Sequence, residues 1–332
     1  MKKLLFSFAS LAITLTTNAS VLTVNNTSTS AGQYTSVQTA ITAAVAGDTI
    51  YVHGSATTYG DVTIDKRLVI IGAGYQLSGT QYNLPSKIEY LTLNLASGTI
   101  IKGMNILGIK DGGFVSNNIT IERNFIQSHM EVSGSAWIIK NNFTGSLRLA
   151  NYSNIIISNN IIAGVYGIMN SDKPSVLITN NIFLTQTVFY ALTSATITNN
   201  FFFEANFFLP ASGTPAINNV YRKNIFIHTV ATNFMSLPAE NLNTVSPQFV
   251  SIIPSATDIL SAQNLDWHLL ASSLGKVYGT DGTDIGIYGG TYPMPNTSGL
   301  CPIPQILNVD IQNPNIPING TLNVDFKARK QK

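Results

Sequence analysis

The sequence predicts an all-β solenoid, a parallel β-helix in which short strands wind into stacked coils. Three observations lead to this fold class. A motif centred on asparagine returns at a nearly constant interval of about 20 residues, a period typical of solenoids. Apolar and polar residues alternate before each motif, and β-branched runs between turn residues indicate strands. Charged residues make up only 10% of the chain against 45% hydrophobic residues, so Asn, Thr and Ser supply most of the polarity.

The repeat is most regular in the middle of the chain. Aligned on the second asparagine of each motif, five copies follow one another at nearly equal intervals. Asn224 follows after a somewhat longer interval, and Met104 occupies the same position one repeat before the first copy. The five aligned positions are Asn124, Asn142, Asn160, Asn181 and Asn200.

These asparagines are predicted to be structural. Asparagine tolerates left-handed backbone angles, so it can turn the chain at a corner between two strands. Stacked coils lie about 4.8 Å apart, which lets equivalent side-chain amides hydrogen bond along the solenoid axis. The sequence therefore predicts one buried asparagine ladder.

The amino-terminal end is typical of a secretory signal. Lys2 and Lys3 precede an apolar run from Leu4 to Leu15, and Thr17-Asn18-Ala19 provides a small-residue cleavage site. We expect residues 1–19 to be the signal peptide and the mature chain to begin at Ser20. This apolar run is shorter than the roughly 20 residues that a membrane span needs, and no later apolar stretch comes closer to that length. The predicted location is outside the cytoplasm, extracellular or on the cell surface, with the periplasm as an alternative.

The rest of the chain divides into two predicted parts. Residues 20–292 form the β-helix, and a helix over residues 36–46 is expected to cap its open end, with Val37, Ile41, Ala44 and Val45 on the buried face. Residues 293–332 form a Pro-rich extension with two short strands. The only cysteine, Cys301, lies there, so no intramolecular disulfide forms.

Both ends of the solenoid resemble a known superfamily. Tyr34–Ile41, Ala46–Val52 and Leu68–Gly74 look like the amino-terminal portion of pectin-lyase-like β-helix proteins. The segment from Asp266 through the glycine-rich stretch Gly279–Gly290 looks like the closing segment of secreted bacterial members. The resemblance implies a right-handed parallel β-helix. It implies no single function, because this scaffold carries lyases, hydrolases, epimerases, adhesins and structural proteins.

The chain offers little sequence evidence for catalysis. A lyase of this fold is expected to hold Ca²⁺ with clustered carboxylates, and a glycosidase needs two carboxylates at the scissile bond. No catalytic residue, metal ligand set or cofactor is predicted, with Ca²⁺ relevant only to a lyase. A net charge of +2 gives no reason to expect nucleic acid. The acidic residues between Gly113 and Met235 are the widely spaced Glu122, Glu131, Asp172 and Glu204.

Counting from the corner asparagines places several polar residues at nearly one position of successive coils, with Arg148 and Tyr166 six residues and Glu131 seven residues after the corner, and Glu204 nearby. This predicted ligand-binding face consists of Glu131, Arg148, Tyr166 and Glu204. We expect it to bind a polysaccharide or surface glycan without catalysis. A polysaccharide lyase or glycoside hydrolase is the first alternative, and a structural envelope protein or adhesin is the second. The aromatic run Phe201–Phe208 is expected to be half exposed or covered by residues 209–219.

Overall fold

The structure is a computed structural model in which two long parallel sheets form a solenoid. It describes the residue ranges 19–27, 32–75, 84–168, 175–185, 192, 194–203, 218–228, 239–251, 253, 258–296, 305–313 and 315–329. The predicted signal peptide up to residue 18, Cys301 and Glu204 lie outside these ranges.

Ten strands pair in parallel in each sheet, which confirms the all-β solenoid. Sheet A contains β1 (Val21–Val24), β2 (Thr49–Val52), β4 (Val69–Gly72), β6 (Ile100–Lys102), β8 (Thr120–Glu122), β10 (Ile138–Lys140), β12 (Ile155–Ser158), β14 (Val176–Thr179), β16 (Thr196–Thr198) and β18 (Val220–Arg222). Sheet B contains β3 (Val62–Ile64), β5 (Lys87–Leu93), β7 (Asn105–Asp111), β9 (Phe125–Ser135), β11 (Phe143–Ser153), β13 (Ile161–Ile168), β15 (Ile182–Phe183), β17 (Phe201–Phe202), β19 (Ile225–Phe226) and β20 (Leu242–Asn243).

The two asparagines of each motif have different tasks at the corner from sheet A to sheet B. The first adopts a left-handed backbone, with φ of 57° at Asn141, Asn159 and Asn180. The second points inward and is fully buried at Asn142, Asn160 and several equivalent positions. A double asparagine therefore combines a turn residue with a buried hydrogen-bonding group.

The buried amides form a continuous ladder. From Asn142 onward, each side-chain oxygen accepts from the backbone N–H and the Nδ2 group of the asparagine one coil earlier, at 2.8–3.2 Å. The oxygen of Asn124 accepts from Met104 N at 3.0 Å. Each Nδ2 group also donates to a carbonyl of the preceding coil. The column contains the five aligned asparagines and continues through Asn224 to Asn241.

Two hydrophobic layers lie on opposite sides of sheet B. The inner layer fills the solenoid with residues such as Ile121, Ile139 and Ile157 from sheet A. The outer layer starts from an apolar row on the outside of sheet B, in register from β9 to β19. That outer row consists of Phe125, Phe143, Ile161, Ile182, Phe201 and Ile225. Tyr75 packs against Phe125 and Phe143, and residues of the C-terminal part complete the layer.

A short helix, α1 (Val37–Ala43), lies near the amino-terminal end, and Ser36 caps it by accepting from Thr39 N. The prediction that Val45 is buried on this helix is wrong, because α1 ends before it and Val45 is 51% exposed. Asp48 accepts from the N–H of Val45 at 2.9 Å, which holds that residue in the turn after the helix. The role of α1 as a cap stays a prediction.

The remaining elements lie in the C-terminal part. A second short helix, α2 (Ile259–Ala262), has Asp258 as its N-cap. Strands β21 (Gln305–Ile311) and β22 (Val324–Arg329) pair in an antiparallel hairpin, close to the two strands expected in the extension. Among the described residues, no helix has the length and apolar character needed to cross a bilayer.

Candidate functional site

The outward face of sheet B carries a polar surface that crosses β5, β7, β9 and β11. Register pairs Thr92 with Lys110 and Glu131 with Arg148. Ile109 pairs with Met130, so Lys110 and Glu131 lie side by side between these pairs. We call the outward row of Thr92, Lys110, Glu131 and Arg148, together with Tyr90 and His129, the polar face.

Glu131 and Arg148, two of the predicted residues, form an ion pair on this face. The distance from Arg148 Nη1 to Glu131 Oε1 is 3.2 Å, and the side chains are 51% and 30% exposed. Such an exposed pair contributes little to stability, about 0–1 kcal/mol. Both side chains can therefore exchange their mutual contact for a ligand at small cost.

An aromatic contact lies beside this pair, and the sequence analysis missed it. The ammonium group of Lys110 lies 3.3 Å from the centre of the Tyr90 ring, a cation–π contact. The His129 ring lies 6.3 Å from the same ring. Gly108 makes room for the tyrosine, since a Cβ there would lie 3.0 Å from the ring. The coil that contains Tyr90 has Ser86 instead of asparagine at its corner, so the asparagine repeat in the sequence does not extend to this coil.

The structure describes only the backbone of Tyr166 and nothing of Glu204, the other two predicted residues. Tyr166 belongs to β13, whose backbone pairs with β11 next to Arg148, between the pairs Leu147 with Val165 and Leu149 with Ile168. Its side chain lies outside the described part of the structure, as does Glu204. The membership of both side chains in the face stays a prediction.

A C-terminal return segment (residues 278–294) runs along the corner beside sheet B. The first asparagines of the motifs hold it: Asn199 Oδ1 accepts from Thr280 N at 2.9 Å, and Asn159 Nδ2 donates to Ile287 O at 2.9 Å. The contacts progress toward earlier coils, ending where Lys140 lies 4.6 Å from the Tyr292 ring centre. Phe201 is covered by this C-terminal part, where Phe249 lies 5.0 Å from its ring, and residues 209–217 lie outside the described ranges.

Asp266 and His268 also meet in the structure, next to the return segment. His268 Nδ1 and Asp266 Oδ1 are 2.6 Å apart, and the His268 ring stacks on Tyr288 with ring centres 3.8 Å apart. The N–H of His268 lowers the pKa of Asp266, and burial opposes this effect. Burial and the charge of Asp266 raise the pKa of Tyr288 to about 12. The stack joins two segments of the C-terminal part.

The described residues contain no group of three or more His, Cys, Asp or Glu side chains placed to hold a metal ion. The parallel β-solenoid agrees with the fold implied by the sequence resemblance, and membership of the pectin-lyase-like superfamily stays a prediction. No protein-family model matches the chain, and no curated protein matches it in sequence.

Proposed function

We propose that the protein is exported and that its polar face binds an extended glycan without cleaving it. The observation that carries the proposal is the row of ring, cation and carboxylate groups on adjacent strands of one face. Neighbouring coils lie about 4.8 Å apart, so each coil presents one of these groups at close to the spacing of consecutive sugar rings.

The chemistry of the face suits a sugar chain. The Tyr90 ring offers an apolar surface with a polar tip, which can stack on a pyranose ring. Lys110 and Arg148 donate hydrogen bonds, and Glu131 accepts them, so neighbouring groups match the alternating donors and acceptors of hydroxyl groups. Glu131 already pairs with Arg148 at 3.2 Å, which favours a binding role over that of a free catalytic carboxylate.

A glycan array followed by calorimetry tests the proposal. Replacing both Tyr90 and Arg148 with Ala should weaken binding of the positive glycans about tenfold or more, the equivalent of about 1.4 kcal/mol. The matched control replaces Tyr51 and Arg222, on sheet A, with Ala. Arg222 is 52% exposed and pairs with Glu240, which is 30% exposed, nearly the values of Arg148 and Glu131. The control variant should bind like the unmodified protein.

Product analysis on the bound glycans separates binding from catalysis. Binding without new reducing ends or unsaturated products supports the proposal. Cleavage that disappears in the Tyr90 and Arg148 variant would establish an enzyme at the same face. Equal binding by that variant and the control would remove the polar face as the site.

A further inference from the structure

A buried carboxylate lies at the start of β2. Asp48 is only 2% exposed. Its Oδ1 accepts from the backbone nitrogen of Ser20 at 2.7 Å, and its Oδ2 accepts from the nitrogen of Val45 at 2.9 Å. Asp48 thus joins the first residue before β1 to the turn after α1.

Asp48 lacks a countercharge among the described residues. No Lys or Arg side chain in that part of the chain lies within 4.0 Å of its carboxylate. Lys66 instead donates to carbonyls at the end of α1 and pairs with Asp65, and Arg67 lies against Gly47. A buried carboxylate is costly unless it is both hydrogen bonded and paired with a charge.

The pairing of β1 with β2 fixes the nitrogen of Ser20 against this carboxylate. Val21 pairs with Thr49, and Thr49 N donates to Ser20 O at 2.9 Å. Ser20 therefore lies opposite Asp48. Its nitrogen is also the atom directly after Thr17-Asn18-Ala19, the small-residue pattern of a signal cleavage site.

We propose that Asp48 is the binding site for the α-ammonium group of Ser20, which a signal peptidase releases when it cleaves the Ala19–Ser20 bond. One water molecule is consumed, Ala19 keeps the new carboxylate, and the amine of Ser20 takes up a proton. The neutral N–H donor that contacts Asp48 Oδ1 is thereby replaced by a charged donor at the same place. The inference shares with the proposed function only the export of the chain.

The resulting ion pair should make stability depend on the amino terminus and on pH. Burial raises the pKa of Asp48, but the hydrogen bonds from Ser20 and Val45 outweigh it and leave the pKa below its ordinary value. The carboxylate is therefore charged at neutral pH. Pairing with it should raise the pKa of the α-amine above its ordinary value of about 8. The added stability is then complete below pH about 8 and is lost as pH rises through the raised pKa.

The experiment compares two forms of the mature protein, one beginning at Ser20 and one that retains Ala19. At pH 7 the form beginning at Ser20 should melt several degrees higher, and the difference should shrink between pH 8 and pH 10. Each unit by which the pKa is raised corresponds to about a tenfold change in the unfolding equilibrium constant. Mass spectrometry of the exported protein should give Ser20 as its first residue.

Two controls identify Asp48 as the receptor. Acetylating the α-amine of the form beginning at Ser20 removes the charge but keeps an N–H donor, and should lower its melting temperature to that of the Ala19 form. In Asp48→Asn the two amino termini should melt alike. If that variant does not fold, the acetylation result decides alone. Equal melting temperatures of the two forms at pH 7, or export with a different first residue, would overturn the proposal whether or not the protein binds glycans.

Discussion

Replacing Asn160 with Ala removes the centre of the asparagine ladder. The side chain makes five hydrogen bonds, to Ile139 O, Ser158 O and Asn181 Oδ1 and from the N and Nδ2 of Asn142, all at 2.9–3.0 Å. The substitution deprives three buried main-chain groups, Asn142 N–H, Ile139 O and Ser158 O, of this partner. A buried polar group left unsatisfied costs about 1–3 kcal/mol, so we expect the free energy of unfolding to fall by about 3 kcal/mol.

Urea unfolding followed by circular dichroism measures this loss, and the melting temperature should fall by about 5 °C. Asn264→Ala is the control, because Asn264 is exposed and, among the described residues, its side chain makes only a long hydrogen bond, to Leu260 O at 3.5 Å. Its cost should stay within about 0.5 kcal/mol. If Asn160→Ala costs no more than this control, the ladder does not stabilise the solenoid.

Two further predictions concern the C-terminal part. Gly286→Ala should destabilise the protein more than Gly282→Ala, because both glycines have positive φ (84° and 75°) but only a Cβ at Gly286 would meet the Phe201 ring, at 3.0 Å. Thermal melts of the two variants compare them, and equal losses of stability would mean that the Phe201 ring moves aside to make room for the added Cβ. Asp266 has a lowered pKa, so its contribution to stability is present above pH about 4, its unfolded pKa, and is lost as pH falls through the folded pKa. Asp266→Asn should therefore lose less stability than the unmodified protein between pH 5 and pH 3 in urea unfolding, and parallel profiles would contradict this.

The solenoid could be predicted from the sequence because its stabilising contacts repeat at nearly constant spacing. Each ladder asparagine meets the asparagine 17–24 residues further on, so a contact between coils leaves a periodic trace in the sequence. The pairing of Glu131 with Arg148 could be approached for the same reason, as counting from the corner residues placed them within one residue of the same position, and a register shift between β9 and β11 makes up the difference.

The remaining features depend on contacts without a period. Asn159 reaches Gly289 across 130 residues, and nothing in the local sequence connects the two. The sequence therefore predicted that the motif asparagines turn the chain, but not that Asn159, Asn180 and Asn199 hold the return segment. Tyr90 was missed because it belongs to a coil whose corner carries Ser86, and its neighbour Lys110 is revealed only by strand register.

The return segment also determines the order in which parts of the fold can form during synthesis. Its contacts lie against coils made more than 100 residues earlier in synthesis, so a chain emerging from its amino terminus exposes the part of the outer row that this segment covers until residues 278–294 have been made. The large side chains of that part of the row, Ile182 and Phe201 beside Gly286, would be open to self-association throughout this interval. A truncation just before the return segment would therefore leave a coiled but aggregation-prone solenoid, and residues 278–294 would control its solubility.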